Sequence, residues 1–187
     1  MLTENQILEN KTKWLELCKK LNFDMTELAK FLEAVDYWHA PYSSQNSYSH
    51  PGGLCEYSLK LVNELGTLVN AYFPDRYGAE DILKVGLFKD IYRAELYEPY
   101  MKNVKNDKGE WVQEPAFRYR DERNVYGDLN FGSYMTAKNY ANFTDEQIEA
   151  IIIAGTKNDF MGDYQKIAKQ YPLVILTEMA MKSAYYF

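Results

Sequence analysis

The side chains able to do acid–base, nucleophilic or metal chemistry are few and scattered. There are two histidines, His39 and His50, at the two edges of a stretch rich in Ser, Asn, Pro and Tyr. Imidazole is the commonest side-chain metal ligand, and a metal needs three or more convergent ligands of compatible type. A metal site built on His50 would draw on Asp90 or Glu56; the competing reading is two loop histidines with no special role. Lys89 stands beside Asp90. Adjacent helical residues project about 100° apart, so the two need not pair with each other. Ser43, Ser44, Ser47 and Ser49 form a polar loop that either lines a phosphate pocket or caps the next helix. No histidine stands at a recognisable partner position for these serines. Phosphate-binding glycine loops, H-E-x-x-H and the nucleophile elbow are all missing from the sequence. Cys18 and Cys55 have no zinc spacing and are too few for a disulfide scaffold, so they read as two buried thiols.

Helices must position these groups. Leu8, Trp14, Leu15, Leu17, Cys18 and Leu21 recur at helical spacing over residues 4–21. Asp24 reads as an N-cap with Glu27 at the third helical position, opening a second helix toward Tyr37. Residues 39–51 read as a loop, and Gly52-Gly53 opens a long helix that stops near Pro74. A fourth helix is predicted over 79–96. Extended residues flank Asn106-Asp107-Lys108-Gly109, the signature of a β-hairpin whose Pro99 and Pro115 suggest short edge strands. A helix starts near Leu129 or Phe131. Thr144-Asp145-Glu146-Gln147 is a capping box for a helix through Ile153, and Pro172 starts a last helix through Tyr186.

The 187 residues suffice for one domain with its own core. A net charge of −6 gives no long-range attraction for nucleic-acid phosphates. The 17 tyrosines suit either a binding surface or half-buried positions around the core. The first six residues lack a basic region followed by an apolar run, and no apolar run approaches the ~20 residues of a membrane span. The expectation is a cytoplasmic protein.

Three segments together carry a resemblance: Pro41-Tyr42-Ser43-Ser44, then Pro51-Gly52-Gly53-Leu54-Cys55-Glu56-Tyr57-Ser58-Leu59, then Leu87-Phe88-Lys89-Asp90. They resemble the opening of HD-domain phosphohydrolases, whose pattern runs roughly P-A-S-[ST], G-G-L-x-E-H-S-L and L-x-H-D. Small HD proteins often encoded by phages and their bacterial hosts are the nearest in kind. Residues 100–111 are similar to a hairpin in those proteins. Residues 126–133 loosely resemble their G-H-G-E-K-S segment, 144–151 their L-T-x-E-E helix, and 171–181 their terminal N-P-L helix. The fold so implied is all-α: a helical bundle with a small hairpin insertion, as one domain over 1–187. Residues 1–36 form an N-terminal helical extension and 97–120 the insertion.

The resemblance also implies a metal centre, and here its ligands are replaced. Tyr57 and Lys89 stand at the two opening histidine positions, Asp128 nearest the G-H-G position, Ala154 at the later helix histidine and Met181 at the terminal aspartate. Asp90 is the remnant. The implied site is vestigial: Lys89 substitutes for the cation and neutralises Asp90, together with Glu56, Asp128 or Glu178, while Tyr57 fills the hole and donates to a carboxylate. A lysine there has a second reading, as a base or phosphate ligand. The expected function is a catalytically inactive binding or scaffolding module without cofactor. Its partner would be another protein or a second copy, met through the tyrosine-rich surface and the hairpin bearing Lys102, Lys105, Lys108, Trp111 and Arg118. That basic hairpin is also the one local candidate for nucleic acid. The alternatives are a residual metal-dependent phosphohydrolase acting on nucleotides or phosphoesters, and a metal-free sensor of nucleotides or other small molecules.

Overall fold

The computed structural model describes residues 1–45, 47–155 and 161–187. Among them are eight α-helices and one two-stranded antiparallel sheet. Helix α1, Glu4–Cys18, opens at a capping box that sequence reading passed over: Thr3 accepts from the Gln6 amide while the Gln6 side chain accepts from the Thr3 amide. Helix α2, Thr26–Ala34, begins after Asp24 rather than on it. Asp24 Oδ1 accepts from the Thr26 amide at 2.9 Å and so closes the preceding turn, and Met25 is the N-cap.

The loop that follows, of which residue 46 lies outside the described residues, leads to α3, Gly53–Tyr72. Both glycines at its start are required. Gly52 has a φ of 79°, and a Cβ on Gly53 would lie 2.3 Å from the Tyr48 carbonyl oxygen. Helix α4 covers only Ala79–Phe88. The single helix expected over 79–96 breaks at Asp90 (φ −125°, ψ 17°) and resumes as a 3-10 turn over Ile91–Glu95.

The hairpin is present as β1, Tyr97–Lys105, and β2, Trp111–Tyr119, in a register pairing Tyr97 with Tyr119 and Lys105 with Trp111. Its strands are longer than their prolines suggested. With two strands each has an outer edge, and a residue without an N–H is tolerated where that edge faces away from the partner. Helix α5, Leu129–Ala137, is capped by Asp128, and α6, Asp145–Ile153, by the Thr144–Gln147 box. Helix α7, Met161–Gln170, had no counterpart in the sequence reading; α8, Pro172–Tyr186, starts on its proline.

Helix α3 is the axis of the bundle, packed by α8, α4 and α1. Trp14 of α1 is fully buried, with Tyr37, Trp38 and Phe88 rings at centroid distances of 5.6, 5.8 and 6.2 Å. Its indole N–H donates to Ser58 Oγ, and Ser58 donates to the Gly86 carbonyl, so one polar thread ties α1, α3 and α4. Burying an indole of 150–250 Å² contributes at most roughly 4–6 kcal/mol before entropy. Residues 1–36 therefore supply core (Ile7, Trp14, Leu28 and Leu32) rather than an appendage. Among the described residues no helix is long and apolar enough to cross a membrane.

Candidate functional site

Lys89 and Asp90 sit where α4 ends, and both are buried. They do not pair. The Lys89 ammonium donates to Asn130 Oδ1 at 2.6 Å, and the same amide donates through Nδ2 to the Ala154 carbonyl at 3.3 Å. A chain of donors thus runs from α4 through α5 to the end of α6. Burial lowers the Lys89 pKa to about 8, against the pull of Asp90 in the other direction. Asp90 is held by Arg93 instead, Nε to Oδ1 at 2.6 Å. A 3-10 turn eclipses side chains at i and i+3, which is what sets these two side by side. The other Asp90 oxygen, Oδ2, is buried with no hydrogen-bond partner among the described residues.

Arg93 reaches further. Its NH1 donates to the Tyr42 carbonyl at 3.2 Å, and its guanidinium lies 4.2 Å from the centre of the Tyr42 ring. Burial is the largest single influence and works against its charge, but Asp90, Tyr42 and Tyr97 together outweigh it, so the guanidinium is held above its usual range. Tyr42 in turn stacks on Tyr57 with centroids 3.9 Å apart. Tyr57 is almost wholly buried, and burial, followed by Tyr42 and Asp90, pushes its phenol far above the ordinary value. Its hydroxyl donates to the Met181 carbonyl at 3.5 Å, not to a carboxylate as expected. Above this stack lies a cleft of about 480 Å³ lined by Tyr42, Tyr57, Gly155, Glu178, Met181 and Tyr185, among others.

Of the positions that the resemblance assigns to ligands, Tyr57, Lys89, Ala154 and Met181 are linked directly or through one residue. Tyr57 touches Met181, and Lys89 reaches Ala154 through Asn130. A Cβ on Gly155, next to Ala154, would lie 2.8 Å from Met181 Cε. Phenol, ammonium, methyl and thioether are not a donor set for a divalent cation, and a resident metal does not fit these residues. Among the described residues no group of three His, Cys, Asp or Glu side chains could hold one.

The remaining expected members go elsewhere. Asp128 caps α5 by accepting from the Phe131 amide at 2.7 Å. Glu56 faces His50, Oε2 to Nε2 at 3.3 Å, without Asp90. His39 lies between Asp36 (2.7 Å) and Glu4 (3.5 Å), which raise its pKa against burial. Glu178 accepts from Tyr164 and pairs with Lys182 at 2.7 Å. The single carboxylate cluster around Lys89 is therefore not formed, because each acid has a closer local partner. The basic hairpin is also largely matched: Arg118 and Arg120 both pair with Glu98, Lys102 faces Glu114, and Lys105 lies over Trp111 at 5.2 Å.

Sequence reasoning missed Arg93, Asn130 and the stacking role of Tyr42. The i, i+3 spacing of Asp90 and Arg93 was a usable signal. Nothing local marks Asn130, which meets Lys89 across 41 residues. No family model matches this chain, and neither does any curated protein or solved structure.

Proposed function

We propose that this protein is a non-catalytic binding module on an HD-like scaffold whose metal centre has been replaced by protein. The observation that carries the reading is the Arg93–Asp90 pair capped by the Tyr42–Tyr57 stack. It puts a fixed guanidinium against the one carboxylate that the resemblance leaves to a metal. A cation bound there would meet the Arg93 guanidinium already on Asp90, and it would also feel the buried Lys89 ammonium, which interacts electrostatically with both residues; like charges in a buried site repel strongly. Partner binding then falls to surfaces. The hairpin, whose strands pair with each other and pack on no helix to a comparable extent, is the first candidate, with Trp111 70% exposed. Metal analysis of purified protein together with phosphate release from a panel of nucleotides and phosphoesters tests this. The expected result is no stoichiometric divalent metal and no hydrolysis. A stoichiometric metal with turnover replaces this reading by a metal-dependent phosphohydrolase.

The cleft over the tyrosine stack favours one second reading, a metal-free sensor of a small molecule. At about 480 Å³ it falls within the size of ordinary ligand pockets and combines aromatic walls with the Glu178–Lys182 pair. A ligand that binds only the folded state raises Tm. No shift at saturating nucleotide removes that ligand class from the reading.

A further inference from the structure

Helix α8 carries two stripes. Leu173, Thr177, Ala180 and Ala184 are fully buried against the bundle. On the opposite side, Pro172, Ile175, Met179, Lys182 and Tyr186 recur at spacings of 3, 4, 3 and 4, the seam spacing of paired helices. Ile175 and Met179 are each 41% exposed and Tyr186 74%. Tyr72, 61% exposed at the end of α3, extends the stripe sideways. Pro172, Ile175 and Met179, with Tyr72, Phe73 and Leu176, line a groove of about 490 Å³ whose one charged lining group is Lys169, while Lys182 and Tyr186 continue the stripe beyond it.

We propose that the outer face of α8 is the contact through which two copies of this chain pair, α8 against α8, antiparallel about a two-fold axis at Met179. Two features select a second copy over an unlike partner, and the exposed area bears on how strongly it is held. The stripe is self-complementary about Met179, since antiparallel placement sets Pro172 of each copy opposite Tyr186 of the other. Its charges are self-complementary too: the Glu178–Lys182 pair (2.7 Å) flanks Met179, and the two-fold sets Lys182 of each copy across from Glu178 of its mate. Tyr72, Ile175, Met179 and Tyr186 expose on the order of 400 Å² per copy, taking 150–250 Å² for each whole aromatic side chain. Two such faces give roughly 800 Å², below the 1,200–2,000 Å² of stable complexes and in the range of weak ones. The dimer is therefore concentration-dependent and dissociates on dilution. It does not depend on whether the buried centre holds a metal, but it shares Glu178, Lys182 and Tyr186 with the cleft over the tyrosine stack.

Sedimentation equilibrium on the full chain from about 1 to about 500 µM tests the pairing, because a weak dimer dissociates on dilution through its Kd. The expected result is a monomer–dimer equilibrium that Met179→Glu abolishes at every concentration while circular dichroism is unchanged. Ile175→Gln, on the same exposed stripe, serves if Met179→Glu does not fold. Lys182→Glu weakens pairing about tenfold, and the swap Glu178→Lys with Lys182→Glu restores it. A monomer throughout the range overturns the proposal. So does a dimer that survives Met179→Glu and is dissolved by Trp111→Ser, which places the contact on the hairpin.

Discussion

Arg93 and Asp90 face each other across one 3-10 turn with Nε 2.6 Å from Oδ1, both side chains mostly out of solvent. Two charges taken from water are held only because each has the other, so removing one leaves an uncompensated charge in the interior. Arg93→Gln is expected to lower stability by about 3–5 kcal/mol, and Asp90→Asn by a comparable amount. The double variant should lose far less than the sum, since it retires both charges together. Urea unfolding of the four proteins measures this. Additive losses would show that the two residues act separately and that the closure of the centre does not depend on their pairing.

Lys89 makes stability depend on pH in a window of its own. Its folded pKa of about 8 lies below the ordinary 10.5 because burial disfavours the ammonium. Below pH 8 the lysine is protonated in both states, and the cost of burying its charge is fully present. Between pH 8 and 10.5 the native state has released the proton while the unfolded chain keeps it. The unfolded state then binds more protons, and stability rises with pH by up to ~1.4 kcal/mol per unit. The buried phenols of Tyr42 and Tyr57 act oppositely above pH 10, since their raised pKa keeps them protonated in the native state. Lys89→Met retains those tyrosines and loses the lysine. The difference between wild type and Lys89→Met should therefore shift toward wild type from pH 7.5 to 9.5, and a constant difference would mean that the native lysine titrates normally.

Local chemistry made some elements legible. The Thr144–Gln147 box, Pro172 at the first turn of α8 and the N-D-K-G turn each act within four residues, and each marks its element correctly. The break after Phe88 was not legible because residues 79–96 keep helical periodicity while Asp90 leaves helical dihedrals in a tertiary setting with Arg93 and Tyr42. Helix α7 does carry Met161, Tyr164, Ile167 and Ala168 at helical spacing, a usable signal that sequence reading passed over. At the site, Tyr57 and Met181 are 124 residues apart, so no spacing rule could join them; only the resemblance proposed their meeting. The expected charge pairing was not met. The resemblance joined Lys89 to Asp90 through an implied metal cavity, whereas the backbone turn gave Asp90 to Arg93 and left Lys89 to an amide.

The two thiols should be chemically silent. Burial pushes Cys18 and Cys55 up to about 12, with Glu56 adding to the effect at Cys55. At pH 8 almost no thiolate is present, and neither sulfur is reachable from solvent. Reaction with a disulfide reagent is expected to wait on opening of the fold and to run orders of magnitude slower than in urea. Prompt modification of one thiol in the native protein would show that α1 or the start of α3 opens locally.

Two glycines facing the α3–α4 contact should respond with opposite signs to the same substitution. Alanine in a helix is favoured over glycine by about 1 kcal/mol when nothing obstructs its methyl. At Gly66 in α3 the nearest atom to an added Cβ is Ile82 Cγ2 at 3.8 Å, ordinary contact, so Gly66→Ala should stabilise by about that amount. At Gly86 in α4 the added Cβ would lie 2.5 Å from Val62 Cγ2 and 3.0 Å from Val62 Cα. A side-chain rotation can relieve the first contact. The second involves backbone and requires α3 and α4 to separate, with Ser58 bonded to the Gly86 carbonyl resisting the shift. Overpacking of that kind costs about 1–3 kcal/mol and outweighs the propensity gain, so Gly86→Ala should destabilise. Val62→Ala in the same chain should recover only the part due to Cγ2. Thermal unfolding of the variants separates these effects, and stabilisation by Gly86→Ala would mean that the two helices pack less closely than 3.0 Å implies.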